Sequence, residues 1–486
     1  MKKICLYFEV HQPYRPRTYR FFDIGHNHNY FDDYANKNQM RRLAEKCYLP
    51  ANQIILDLLN KHKGKFKIAF SISGVAIDLM KQYTPEVLDS FQKLAKTKHV
   101  EFLAETYAHS LVALKNKEEF LAQVVQHSKT IEELFNYKPK TFRNTELIYS
   151  NDIGADVFEL GYEGIVAEGA KHILGWRSPN FVYVNPVCPK QKVLLRNFKL
   201  SDDIAFRFSD RNWDQWPLTA EKYVTWLKNI DAKEEIVNIF MDYETFGEHQ
   251  PHDSGIMDFL RYFPEHVIKS KELEFVTPAE AVKSLQPISP INIEYPTSWA
   301  DEERDTTAWL GNELQKDAVN KLYEMQNFIN SQTDPEIKKI YYYLQSSDHF
   351  YLMSTKWFSD GGHKRFNPFG SPYEAYINFR NILNDFMLFT GFTFDIRHEL
   401  ERLTKVNRRQ EEIIRELRHL TGTTKAKPSR KTSQTKKTAT TEESSAEDAK
   451  KENIAKAKAQ PVSKKVTKTT TKTTTKTNKT NKTKPK

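Results

Sequence analysis

The 486-residue sequence has no uninterrupted run of about 18 apolar residues, which excludes a membrane-spanning helix. It has little cysteine. Cys5, Cys47 and Cys188 are odd in number and lack framework spacing, so they read as reduced thiols of an intracellular protein and not as a disulfide scaffold. The opening MKKICLYFEVHQP carries two lysines and a short apolar run, but the run stops at Glu9 and no small-residue cleavage site follows. A buried first strand is expected there, not a secretory leader, and with it a soluble, cytoplasmic protein. The body also lacks excess positive charge. The whole-chain net charge is +10, yet residues 423–486 hold 19 basic and five acidic residues, which leaves residues 1–422 at −4. Nothing in the body asks for a nucleic acid. The 423–486 segment contains no Phe, Trp or Tyr and is dominated by Lys, Thr, Ser and Ala, so it is predicted to be a disordered tail.

What is present is alternation. Apolar or period-two runs at 4–10, 67–73, 100–106, 141–146, 163–169, 192–197, 235–244 and 273–278 predict strands. Stretches such as 52–62, 86–96 and 118–135 repeat apolar residues at helical spacing between them. This order predicts a mostly parallel α/β sheet, and its seven or so units favour a barrel. After about residue 290 the pattern turns helical, at 305–331, 334–352 and 371–420. The expected division is a catalytic barrel at 1–290, a C-terminal helical domain at 291–422 and the tail at 423–486. Ile396, Leu400, Leu403, Ile414 and Leu417 fall on a heptad seam interrupted by Asn407 and Gln410, read as a helix closing its own bundle rather than as a dimer contact.

Reactive side chains recur where the runs end: His11, Glu105, Glu146, Glu168 and Asp242. In α/β barrels the C-terminal mouth of the strands carries the chemistry. Glycosidic bond cleavage needs two carboxyl groups flanking one sugar carbon. FRNTELIYSN (142–151) places Glu146 beside Arg143 and Asn144. IFMDYETFGEHQ (239–250) places Asp242 after an apolar run, with Glu244, Glu248 and His249 following. Tyr149, Tyr243, Phe246, Trp213 and Trp216 are the aromatic company expected of a sugar site.

The chain resembles glycoside hydrolase family 57, the α-amylase and 4-α-glucanotransferase family, in its shorter α-amylase-type branch. His11-Gln12-Pro13, ETYAHS (105–110), RNTEL (143–147), MDYETFGEH (241–249) and LQSSDHFYLMS (344–354) resemble its five motifs in order. FKLSDDIAFRFSDRNW (198–213) is similar to the family as well. The resemblance covers residues 1 to about 400. It implies an incomplete seven-stranded parallel (β/α) barrel, retention of configuration, and no required cofactor or metal. It makes Glu146 the nucleophile and Asp242 the general acid/base acting on an α-glucan or maltooligosaccharide. Substrate contacts are carried over to His11, Gln12, Glu105, His109, Arg143, Asp348 and His349, with Trp213 as a glucose platform.

Three other readings stay open. The same site suits a 4-α-glucanotransferase. A non-catalytic carbohydrate-binding protein needs aromatics and amides but not a Glu/Asp couple, so the pair favours catalysis. A metal-dependent barrel using His26, His28, His11, Asp23, His109 and Asp242 lacks three or four ligands at compact spacing. Trp299, Trp309 and Trp357 are read as packing. Glu168 stands between a site carboxylate and a salt-bridge partner, and Asp202 and Asp203 between orienting a sugar and capping a helix.

Overall fold

In the computed structural model, which describes residues 1–356, 367–393 and 396–420, strand β1 (Lys2–Val10) sets the plan. Ile4, Leu6, Phe8 and Val10 enter a cluster shared with the surrounding helices, whereas Cys5 and Tyr7 enter a separate cluster inside the sheet. Side chains alternate faces along a strand, so Glu9, in step with Cys5 and Tyr7, also faces inward. Six further strands divide the same way: β2 (Ile68–Ile72), β3 (Val100–Phe102), β4 (Thr141–Arg143), β5 (Gly164–Glu168), β7 (Lys192–Arg196) and β8 (Ile236–Asp242). Outward Phe70, Phe142, Ile165, Val193 and Ile239 meet helices. Inward Ala69, Val166, Leu194, Ile236 and Phe240 fill the interior. Above that plug, the inward phase of the strand ends carries Glu9, Arg143, Glu168, Arg196 and Asp242.

All seven strands are parallel. β1 lies between β8 and β2, β2 pairs β3, and β4 pairs β5, which pairs β7. Ala104 joins β3 to β4, donating to Thr141 O and accepting from Arg143 N. Between β7 and β8 no ladder forms among the described residues. Asn197 N donates to Asn238 O, Asn238 Nδ2 to Leu195 O and Arg196 Nε to Phe240 O, so side chains close the seam of this incomplete barrel. A short β6 (Val182–Val184), which the sequence pattern does not announce, runs antiparallel to β7. β9 (Leu273–Val276) adds to the lower half of β1, and β10 (Ser289–Pro290) pairs β6.

Helix ends follow their caps. Asn116 accepts from Glu119 N to open Lys117–Phe135, and Asn136 closes that helix in the left-handed conformation. Thr277 and Glu280 form a capping box at Pro278–Ser284. The later region is helical as expected, at Thr307–Leu310, Glu313–Glu324, Gln326–Ser331, Pro335–Leu344, Ser347–Tyr351 and Pro372–Thr390. Residues 1–400 form one compact unit, and the described residues from Glu401 on belong to a second. Helix Ile396–Leu420 is formed where the seam was expected; Ile414 and Leu417 on it are 45% and 55% exposed, and the side chains of Ile396, Leu400 and Leu403 lie outside the described residues. Trp309 is fully buried packing. Trp357 and the 423–486 tail lie outside the described residues. No described helix is long and apolar enough to cross a membrane.

Candidate active site

Glu146 sits in the turn Thr145–Leu147, directly after β4, with φ 56° and ψ 25°. This is the left-handed region, where a non-glycine residue is strained and persists only if its surroundings hold it. The holding groups are explicit. Leu147 N donates to Asn144 O, Asn144 Nδ2 to Ile148 O and Trp299 N to Glu146 O. The carboxylate accepts from Trp299 Nε1 at 2.7 Å on Oε2 and from Ser347 Oγ at 3.0 Å on Oε1, and His109 Nε2 stands 3.6 Å from Oε1. Its side chain is 19% exposed, so one edge stays open to a ligand.

Beneath it lies a buried cluster. The Arg143 guanidinium bonds Glu9 and is 3.5 Å from Glu105. His109 Nδ1 is 3.3 Å from Glu105 Oε2 and 3.4 Å from Glu9 Oε1. Burial, then the neighbouring His11 charge, pushes His109 down to about 3, so it is a neutral hydrogen-bonding ring at working pH. Its ring stacks on His11, centroids 3.7 Å apart. His11 in turn is 2.7 Å from Ser73 Oγ and 2.9 Å from Asp348 Oδ2. Burial opposes ionisation of Asp348, but the His11 charge and hydrogen bond hold its carboxyl well below the usual range. Its side chain is 34% exposed and available to substrate.

Asp242 ends β8 and pairs in register with Glu9. Burial raises its pKa; His249 pulls it back and the Glu146 charge raises it further. Glu146 is also raised, first by burial and then by the Asp348 charge, but Arg143, Trp299 and Ser347 all oppose that shift. The two carboxyl groups differ in support: Trp299 and Ser347 donate to Glu146, whereas His249, Arg143 and Arg196 lie near Asp242 and oppose the rise that burial causes there. Glu244 is pushed up to about 8 by burial and the Asp242 charge. Tyr48 donates to it, and Gln12 Nε2 lies 3.4 Å away.

Several expected contacts lie elsewhere. His349 is buried with Nε2 on Tyr343 O, 2.9 Å, and its ring against Phe379, which places it in the helical core. Trp213 packs edge-on against Trp226, 6.1 Å apart, on the outer core. Tyr149, Tyr243 and Phe246 are core residues, which removes them as stacking platforms; Trp216 is 44% exposed. Glu168 pairs with Arg196 at 3.2 Å, which makes it a salt-bridge partner. Asp202 bonds Arg196 and Arg304, and Asp203 bonds Arg207. The His26–His28 loop is a latch: His28 meets Asp385 at 2.8 Å, and Asp385 also accepts from Gly25 N and Tyr30. Glu9 and Trp299 are residues at the site that lie outside the motifs, Glu244 and Ser347 lie inside them without an assigned role, and Trp299 is not the plain packing residue expected. Among the described residues, Glu9, Glu105 and His109 could converge on a metal ion, but Arg143 already supplies the positive charge among them.

The family model for glycosyl hydrolase family 57 matches residues 5–294. A Methanocaldococcus jannaschii protein described as "Putative alpha-amylase" is 44% identical over 400 residues, 79% of this chain and 84% of that one. The branching enzyme of Thermococcus kodakaraensis matches at TM-score 0.58 and 14% identity, over 82% of this chain and 94% of that one. The 4-alpha-glucanotransferase of Thermococcus litoralis matches at TM-score 0.54 and 15% identity, over 72% of this chain and 56% of its own length. At those identities the two structures speak for the fold alone, but the family model and the long, close relative agree: this chain belongs to glycosyl hydrolase family 57.

Proposed function

We propose that the chain is a retaining α-glucan hydrolase of the α-amylase type, with Glu146 as nucleophile and Asp242 as general acid/base. The observation that carries this reading is the pair of carboxyls at the strand ends of one barrel mouth, with Glu146 gripped by Trp299 and Ser347 and Asp242 raised by burial and by the Glu146 charge. Protonated Asp242 donates to the glycosidic oxygen as Glu146 attacks the anomeric carbon, giving a covalent glycosyl-enzyme. Asp242 then takes a proton from water, whose oxygen displaces Glu146. The substrate is an α-1,4-glucan of glycogen or maltodextrin type, met in the cytoplasm, and no metal or cofactor takes part. We assign residues 1–290 as the catalytic barrel and 291–422 as a helical domain that completes the site through Ser347 and Asp348. His11, Gln12, Glu105, His109 and Arg143 shape the pocket from below.

The second reading is glucan transfer on the same site, favoured by the fold shared with a 4-alpha-glucanotransferase and a branching enzyme. Transfer replaces water by a sugar hydroxyl and depends on how well water is excluded. Product analysis on maltoheptaose and glycogen, wild type against Glu146→Gln, tests both readings. Short sugars from the wild type alone support hydrolysis, and lengthened oligosaccharides support transfer. Binding without turnover by folded wild type would leave a carbohydrate-binding protein.

A further inference from the structure

The nucleophile candidate is gripped by a loop that follows the barrel in sequence. Trp299 reaches Glu146 twice, through Nε1 to Oε2 at 2.7 Å and through its backbone N to Glu146 O at 3.2 Å. The loop is itself anchored. Tyr149 and Thr297 form an antiparallel bridge, Ser298 N donates to Arg304 O, and Arg304 bonds both Trp299 O and Asp202. The indole packs on the interior plug of the barrel, with the Arg143 and Arg196 guanidinium groups 5.3 and 5.8 Å from its ring centre. An aromatic ring so placed has little freedom to turn.

Building on the assignment of Glu146 as nucleophile, we propose that Trp299 is its positioning residue: the indole N–H fixes the carboxylate plane, and the backbone N–H locks the left-handed turn beneath it, before substrate arrives. A nucleophile aligned in advance acts on the chemical step, so the gain belongs to kcat and not to substrate affinity. The same donor favours the ionised carboxylate, and its removal lets Glu146 keep its proton to higher pH.

The test measures kcat and KM on maltoheptaose across pH for wild type, Glu146→Gln and Trp299→Phe, which keeps the ring face and deletes the donor. Trp299→Phe is expected to lose about 10- to 100-fold in kcat with KM within about threefold. Its acid limb should move upward by roughly half a pH unit or more. Loss expressed in KM, with the acid limb unmoved, overturns the positioning role while leaving the nucleophile in place. An active Glu146→Gln overturns the assignment beneath it. Should Trp299→Phe fail to fold, the indole N–H resonance of Trp299 in the wild type decides. Titration with the acid limb, abolished in Glu146→Gln, supports the proposal. A flat resonance in the wild type refutes it.

Discussion

Two buried ion clusters sit side by side at the barrel mouth, and they are built to opposite ends. On the β1–β4 side a single guanidinium, Arg143, faces Glu9, Glu105 and Glu146, with His109 held neutral among them. On the β5–β7 side Arg196 and Arg304 face Glu168 and Asp202, two charges against two. Burial raises the pKa of Glu168 too, but Arg196 and Arg304 both oppose the shift, and this cluster acts as scaffold. A cluster short of positive charge has less to oppose burial, which raises the pKa of its carboxyls. The pKa of Glu9 is pushed well up by burial despite Arg143, and that of Asp242 is raised beside it.

The sharpest way to break the comparison is to neutralise one carboxylate in each cluster. Glu146→Gln is expected to lower kcat/KM at least about a thousandfold, roughly 4 kcal/mol of transition-state stabilisation. Glu168→Gln keeps an oxygen for Arg196 and should stay within about fivefold. Steady-state kinetics on maltoheptaose decides, and comparable losses would abolish the distinction between the clusters.

Next in size is the pH dependence of stability at Glu244. Its folded pKa, about 8, lies above its unfolded value, because burial and Asp242 disfavour its charge. The stabilisation is therefore complete below the unfolded pKa and is lost as pH rises through about 8. Glu244→Gln cannot ionise, so relative to wild type its stability should rise between pH 5 and pH 9, on the order of 2–4 kcal/mol. Denaturant unfolding at the two pH values measures this, and parallel curves would show that Glu244 is ionised at neutrality.

The two histidines of the first and last motifs offer a smaller test. His11, between Ser73 and Asp348, should give a loss of about 10- to 100-fold in kcat/KM on change to Asn. His349→Asn should instead cost about 1–3 kcal/mol of stability, because Tyr343 O loses its donor in the core, with kcat nearly kept.

The barrel was legible because each strand writes its own signal: eight apolar runs became eight strands, and carboxylates at their ends reached the mouth. Glu9 was within reach too, since it keeps step with Cys5 and Tyr7, although in the sequence it stands only as the polar end of an apolar run. Trp299 and Ser347 were not legible. Each meets Glu146 across 153 and 201 residues, and no local periodicity encodes a loop crossing a barrel mouth. The aromatics near Glu146 and Asp242 misled for a related reason: composition places a Tyr near an acid but does not say which face of the backbone it leaves. Tyr149 and Tyr243 left it toward the core. His349 shows the same limit, because on a helix the residue after Asp348 points about 100° away.

Trp213 carries the smallest and most discriminating expectation. The motif resemblance made it a glucose platform, whereas its ring stands 6.1 Å from Trp226, which also meets Tyr223 at 6.0 Å in the outer core. A platform stacks a sugar on an open ring face, so its truncation would raise KM. A half-buried ring that braces Trp226 contributes packing, and its truncation opens a void and lowers stability, by about 1–3 kcal/mol for a partly exposed aromatic. Trp213→Ala should therefore unfold at lower denaturant while KM for maltoheptaose stays within about threefold. A tenfold rise in KM at unchanged stability would return Trp213 to the substrate path. The functional mouth would then extend past the balanced cluster to the helices beyond β7.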